Sequence, residues 1–284
     1  RWVEYLKIKH RGVFNLMFTL TNEKEVQLVG HVSPNTLVHG DCLEVMKYIP
    51  DGSVDLVLCD PPYGWLGTTA CKWDSVIPFD LMWAELHRVC KPNAPMIFTA
   101  SQPFTSMLVM SNIKEFKVEW IWEKAVGSNF ATLKYQPMKE HESVLVFSNG
   151  GGKTPYYPIK EPRKGSGSAR MNYGHNGSKT GEANGSQDFK GWKEGDYDKD
   201  LRNPSSVQYF NNRENTRGLH PTQKPVALLE YLVKTYTQEG ETVLDFTFGS
   251  GSTGVACLNT NRKFVGVELD KQYFDIAVNR MVNN

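Results

Sequence analysis

The sequence has little cysteine, and none of it is arranged in pairs. Its five cysteines are Cys42, Cys59, Cys71, Cys90 and Cys257. The odd count, wide spacing and absence of C-x-x-C argue against a disulfide framework and against a zinc site. Several lie inside apolar runs and read as buried free thiols, which fits a reducing cytoplasm. No stretch approaches the ~20 apolar residues of a membrane span. The apolar run 12–20 follows basic residues, but it carries Asn15 and lacks a small-residue cleavage site, so it does not read as a signal peptide. An excess of either charge is also missing: 32 Lys+Arg stand against 31 Asp+Glu, a net +1 that does not by itself point to nucleic acid. What is present is an ordinary globular composition, 40% hydrophobic and 22% charged over 284 residues. That length suits one large α/β domain or a core domain with an insertion. There is no internal repeat.

Hydrophobic periodicity alternates between strands and helices. Short apolar runs at 37–39, 54–59, 96–99, 117–122 and 143–147 read as strands. Between them, Phe79, Met82, Trp83, Leu86 and Val89 have helical spacing that stops at Lys91-Pro92, and 104–110 reads as a short helix. After residue 218, a helix is expected with Val226, Leu229, Leu232, Val233 and Tyr236 on one face. Then come a strand at 242–246, a helix from Thr253, a strand at 264–269 and a terminal helix over 271–281. This alternation predicts a mostly parallel sheet covered by helices. Residues 1–32 offer no motif and read as a peripheral helix or strand.

The strand 54–59 runs into Asp60-Pro61-Pro62-Tyr63. Two prolines end the ladder because neither donates a backbone N–H. An acidic acceptor, unpaired carbonyls and an aromatic ring are thereby gathered at the carboxyl end of a strand, where open α/β sheets bind ligands. A carboxylate and a proline carbonyl can accept both hydrogens of one amino group, and a tyrosine can stack on the ring that carries it. The plainer alternative is a Pro-rich turn. Upstream, Gly40-Asp41-Cys42 reads as a Gly turn with Asp41 as a helix N-cap.

A second turn is glycine-rich. Gly249-Ser250-Gly251-Ser252-Thr253-Gly254 matches G-x-G-x-x-G between a strand and a helix, and Glu268 ends the next strand at the offset of a ribose-binding acid. Its place near the C-terminus leaves no room for a second nucleotide half. An adenosine cofactor is therefore a better fit than a dinucleotide.

Between these two halves the composition changes. Residues 150–218 are rich in Gly, Ser, Asn, Tyr and Lys, with 12 Lys+Arg against 8 Asp+Glu over 153–217. Aromatics are interleaved, among them Tyr156, Tyr157, Tyr173 and Trp192. Cationic, amide and aromatic groups together suit phosphates, base edges and unpaired bases. A disordered low-complexity loop is the alternative.

Taken in order, Gly40-Asp41-Cys42-Leu43, Asp60-Pro61-Pro62-Tyr63, His220-Pro221-Thr222-Gln223-Lys224-Pro225, Phe248–Gly254 and Gly266-Val267-Glu268-Leu269-Asp270 resemble the S-adenosylmethionine-dependent amino-methyltransferases of DNA, in their circularly permuted β order. One departure is Phe246, where the family usually has Pro. The resemblance implies a Rossmann-like α/β methyltransferase fold with a mostly parallel, mixed seven-stranded sheet and helices on both faces. It divides the chain into an extension (1–36), a catalytic half (37–149), a target-recognition insert (150–218) and a cofactor half (219–284).

By the same resemblance, Asp41 and Cys42 contact the cofactor adenine, Thr222 and Lys224 lie near its carboxylate, and Glu268 holds its ribose. Phe248, Gly249, Ser250, Gly251, Ser252, Thr253, Asp270 and Asp60 complete the expected cofactor site. Asp60, Pro61, Pro62 and Tyr63 form the expected catalytic turn, with Trp65 and Phe130 as candidate helpers or core residues. The implied reaction methylates N6 of a flipped adenine in double-stranded DNA without a metal. N4-cytosine methylation, methylation of a protein glutamine and a catalytically silent nucleic-acid-binding module are the rivals. A homodimer and a restriction endonuclease partner are further expectations, as is a cytoplasmic location.

Overall fold

The structure is a computed structural model that describes residues 6–10, 13–19, 32, 34–64, 74–163, 200–213 and 223–283. Its strands are β1 (Leu6–His10), β2 (Val13–Thr19), β3 (Thr36–His39), β4 (Leu56–Cys59), β5 (Pro95–Ala100), β6 (Phe116–Ser128), β7 (Lys139–Ser148), β8 (Glu161–Pro162), β9 (Leu201–Arg202), β10 (Val207–Phe210), β11 (Thr242–Asp245) and β12 (Lys263–Glu268). Ten of them form one sheet in the order β1-β2-β3-β12-β11-β4-β5-β7-β6-β10. The inner seven, from β3 to β6, make the expected mixed sheet. Within them only β7 is antiparallel to its neighbours.

Three strands extend that seven-stranded sheet. β1 and β2 form an antiparallel hairpin, and β2 lies parallel to β3. At the far edge β10 lies parallel to β6. Both additions depend on long-range pairing, which local periodicity cannot reveal.

Alternation along the strands builds two core layers. On β4, Val57 and Cys59 face one layer with Met82, Trp83, Leu86 and Phe104. Leu56 and Leu58 face the other, with Leu228, Leu229, Leu232 and Phe274. All four β4 residues are buried, as expected for a strand covered on both faces. The helices Phe79–Val89 and Phe104–Ser111 cover the first face. The helices Val226–Tyr236, Ser252–Asn259 and Lys271–Asn283 cover the second. Among the described residues no helix is long and apolar enough to cross a membrane.

Sheet order places the site. From β4 the chain continues to β5 on one side, whereas from β11 it continues to β12 on the other. The adjacent ends of β4 and β11 are thus a topological switch point, where a crevice opens. Asp60-Pro61-Pro62-Tyr63 follows β4, and the glycine-rich turn follows β11.

A second compact unit spans Pro158–Ser205. Its described part holds the β8–β9 pair and an Arg202–Glu161 ion pair at 3.0 Å. It is narrower than 150–218. The Tyr157 N–H donates to the Thr235 carbonyl at 2.7 Å, and β10 belongs to the main sheet. Polar composition concealed β10, whose Val207-Gln208-Tyr209-Phe210 has only half-buried and exposed residues.

Candidate active site

A cavity of about 760 Å³ lies at the switch point. It is bordered by the β4 turn, the β11 turn, Gly40–Leu43, the ends of β6 and β7, and Gln223-Lys224. Sequence segments far apart thus meet at one place.

Asp60 is held on every side. Its carbonyl accepts from the Thr247 hydroxyl at 3.0 Å, which fixes the turn to the β11 loop. Its Oδ1 accepts from the Tyr63 hydroxyl at 2.9 Å and from the Thr99 hydroxyl. Its Oδ2 pairs with Lys224 Nζ at 2.6 Å. Tyr63 stacks on Phe104, with ring centroids 5.1 Å apart. Burial and the adjacent Asp60 push the Tyr63 phenol well above its usual range, so it stays a donor. Tyr63 therefore orients Asp60 as well as offering a ring.

Lys224, expected near the cofactor carboxylate, is engaged by two carboxylates of the protein. Its side chain is 7% exposed and lies between Asp60 and Glu142, whose Oε2 is 3.4 Å away. Burial disfavours the ammonium, but Asp60 and Glu142 more than offset this, so its pKa rises. Glu142 in turn pairs with Lys124. Burial alone would raise the Glu142 pKa, yet Lys224 and Lys124 hold it below the usual range. The result is an alternating row, Lys124, Glu142, Lys224 and Asp60, across the cavity wall. Lys124 also sits 5.2 Å from the Trp122 ring centroid.

On the other side, Glu268 ends β12 with a carboxylate that takes the Gly249 N–H and the Asp270 N–H, each at 2.7 Å. Burial raises its pKa, and those two N–H groups partly counter the rise. Gly249 has φ +54° and nothing within 4 Å of where a Cβ would stand, so a ligand can approach its backbone. Asp245 accepts from Thr247 N at 3.1 Å and Thr253 Oγ1 at 2.6 Å, and burial lifts its pKa to about 7.

Several residues expected in the cofactor site also have structural partners. The Phe248 ring is buried and stacks on Phe264 at 5.6 Å. A Cβ on Gly254 or Gly266 would lie 2.5 or 2.6 Å from that ring, so these glycines make room for it. Gly251 faces Ala277 and Phe248 rather than the cavity. Asp270 is also outside the cavity lining and caps the last helix through Gln272 N at 2.8 Å. The Asp41 Oδ1 is engaged by Leu43 N at 2.8 Å and Glu44 N at 3.2 Å. Cys42 is half-buried, and burial pushes its thiol up to about 12, which keeps it neutral. Ser250 donates to Gln223 at 2.8 Å, and Ser252 accepts from Arg280 at 3.2 Å. Phe246, the departure from the family motif, packs edge-on against Phe98 at 6.3 Å. Phe130 is 59% exposed, so it is not a core residue. Thr222, Trp65 and Cys71 lie outside the described residues.

The sequence pattern of the DNA methylase family matches residues 54–279, which is most of the chain and includes both turns. The chain belongs to the DNA methylase family. This DNA methylase is 29% identical over 270 residues to the DNA adenine methyltransferase YhdJ of Escherichia coli K12, covering 87% of this chain and 82% of that protein. Its fold is similar to that of the M1.HpyAVI–SAM complex, with a TM-score of 0.59 at 21% identity over 86% of this chain and 98% of the other. It is also similar to the cytosine-N4-specific PvuII DNA methyltransferase, with a TM-score of 0.57 at 16% identity over 89% and 94% of the two chains.

Among the residues of this DNA methylase site that had not been expected are Thr99, Lys124, Glu142, Gln223 and Thr247. Gln223 lies inside a motif read from the sequence, and Thr247 stands directly before Phe248 of the glycine-rich turn. Lys124 shares its strand face with Trp120 and Trp122 at a spacing of two, a charge continuing a buried stripe. Thr99 carries no comparable signal.

Proposed function

We propose that the protein transfers a methyl group from S-adenosylmethionine to N6 of an adenine flipped out of double-stranded DNA. The observation that carries this reading is Asp60, fixed at the end of β4 by Thr247, Tyr63 and Thr99 on the wall of the same cavity as Gly249 and Glu268. Family membership supports methyl transfer to DNA, and the leading Asp60 favours adenine over cytosine.

The residues fit an adenosine cofactor with an amino-acid tail. Glu268 retains acceptor capacity for ribose hydroxyls, the open space at Gly249 admits a backbone approach, and Gln223 Nε2 is a buried donor with no hydrogen-bond partner. When bound, the sulfonium supplies an electron-poor methyl group. The adenine amine is a poor nucleophile because its lone pair is delocalised into the ring. Asp60 and the Pro61 carbonyl accept its hydrogens, which favours a pyramidal nitrogen, and the negative charge of Asp60 supports the positive charge developing there. Reaching this cavity requires base flipping, and Tyr63 and the exposed Phe130 are available to stack on the base. Incubation with labelled S-adenosylmethionine and plasmid DNA, followed by nucleoside analysis, should yield N6-methyladenine. Label found only in N4-methylcytosine would overturn the adenine assignment, and unlabelled DNA would overturn the reaction.

Target recognition is assigned to the 150–218 region on its basic, aromatic composition. Arg163→Ala together with Lys164→Ala should weaken DNA binding and flatten its salt dependence, leaving cofactor affinity within about twofold. An unchanged salt slope after charge removal across the region would place recognition elsewhere.

A further inference from the structure

Asp60 is nearly saturated before any substrate arrives, and its last free acceptor site lies beside a cation. Oδ1 already takes two hydroxyl donors, from Tyr63 and Thr99, which fills its lone pairs. The remaining oxygen, Oδ2, is the one bonded to Lys224 at 2.6 Å. An amine presented to Asp60 is left the second lone pair of that same oxygen, directly beside the ammonium. An ammonium resting there also opposes the positive charge that forms on the attacked nitrogen, because like charges repel strongly at short range out of water. Movement of Lys224 off Oδ2 would remove that repulsion and free both lone pairs of the oxygen.

Its surroundings provide for that movement. Glu142 Oε2 lies 3.4 Å from Lys224 Nζ and is a buried acceptor with no hydrogen bond of its own. Lys124 braces the other Glu142 oxygen. Next to Lys224, the Gln223 Nε2 is likewise buried and unpartnered on the cavity wall. A ligand anion arriving there would meet a cation and an amide donor together. The anionic part of the cofactor is its amino-acid carboxylate.

We infer that Lys224 is a latch on Asp60, released when it turns to the cofactor's carboxylate, with Glu142 as the positioning residue that keeps its charge compensated in either position. This rests on the methyl-transfer reading above and adds an order to it: cofactor first, target base second. The amino-acid tail would then do more than anchor the cofactor, because it would expose the acceptor for the other substrate.

The test compares two non-reactive ligands on the full chain. S-adenosylhomocysteine has the carboxylate, and 5′-methylthioadenosine lacks it. Each is brought to saturation by calorimetry. Affinity for a fluorescein-labelled duplex containing the mapped target base is then read by anisotropy. S-adenosylhomocysteine should tighten duplex binding about tenfold or more, within the usual range of coupling between sites, and 5′-methylthioadenosine by less than about threefold. The gain should vanish on a duplex lacking the target base. Lys224→Met should bind the duplex tightly without any cofactor and gain less than about threefold from S-adenosylhomocysteine, and Glu142→Gln should reduce the wild-type gain. Equal enhancement by the two ligands in a wild-type protein that methylates DNA would overturn the latch alone, as would a full enhancement in Lys224→Met. Absence of methylated bases would overturn the reaction and the latch with it.

Discussion

Asp60→Ala is expected to lower single-turnover methyl transfer to an adenine-containing duplex by ~10²–10³ or more, the usual cost of removing one preorganised electrostatic partner. Asp60 is the only ionisable acceptor in its turn, and Thr247, Tyr63, Thr99 and Lys224 all fix its position. Such investment in one side chain makes sense where charge develops during reaction. The substitution has a structural cost as well. It strands the buried Lys224 with Glu142 alone, and breaking a buried pair costs about 3–5 kcal/mol. The lower end applies, because Asp60 is 27% exposed and Glu142 remains. Thermal melting must therefore accompany the kinetics. Asp60→Asn keeps the shape and one acceptor but loses the charge, so it should retain more stability than activity. Tyr63→Phe removes one donor to Oδ1 and keeps the ring stacked on Phe104, so its effect should be smaller than either. Near-wild-type turnover by a folded Asp60→Ala would sink the mechanism.

Much of this site was legible because its parts lie at strand ends. A carboxylate after a buried strand, prolines that stop the ladder and glycines before a helix are local patterns with local causes. Their meeting at one cavity follows from strand order, which the alternating pattern largely determines. Individual side-chain roles were less legible. Phe248 lies inside the glycine motif, yet its ring fills the space that Gly254 and Gly266 leave. Glu142 and Lys124 fall just outside the strands expected at 143–147 and 117–122. Their pairing depends on the β6–β7 register, in which Trp122 stands opposite Glu142, and on Lys224 arriving from a segment far along the chain. Sequence spacing contains no trace of that third partner. Residues 1–32 stay open between helix and strand, and β10 is missed, because the attachment of β2 to β3 and of β10 to β6 is made at the sheet edges with strands distant in sequence.

Glu268→Ala is expected to weaken S-adenosylhomocysteine binding by roughly tenfold to a hundredfold, corresponding to about 1.5–3 kcal/mol for a hydrogen bond to a charged group. Two separate losses contribute. The acceptor offered to the ribose hydroxyls disappears. The Gly249 and Asp270 N–H groups also lose the oxygen that holds each at 2.7 Å. Gly249 is where the backbone is open to a ligand, so loosening its N–H degrades the approach surface as well as the acid. Glu268→Gln separates the two losses: the amide keeps one oxygen for the loop but not the charge, and should fall between wild type and alanine. The wild-type pH dependence supplies an independent check. Burial raises the Glu268 pKa, so on acidification the carboxylate takes up its proton above the pH at which an exposed glutamate would. Cofactor affinity should begin to fall there, and in Glu268→Gln that part of the pH profile should be flat. Calorimetric titrations across the acidic range read both effects. A folded Glu268→Ala with unchanged affinity would remove this residue from the cofactor site and leave it a brace for the β11 loop alone.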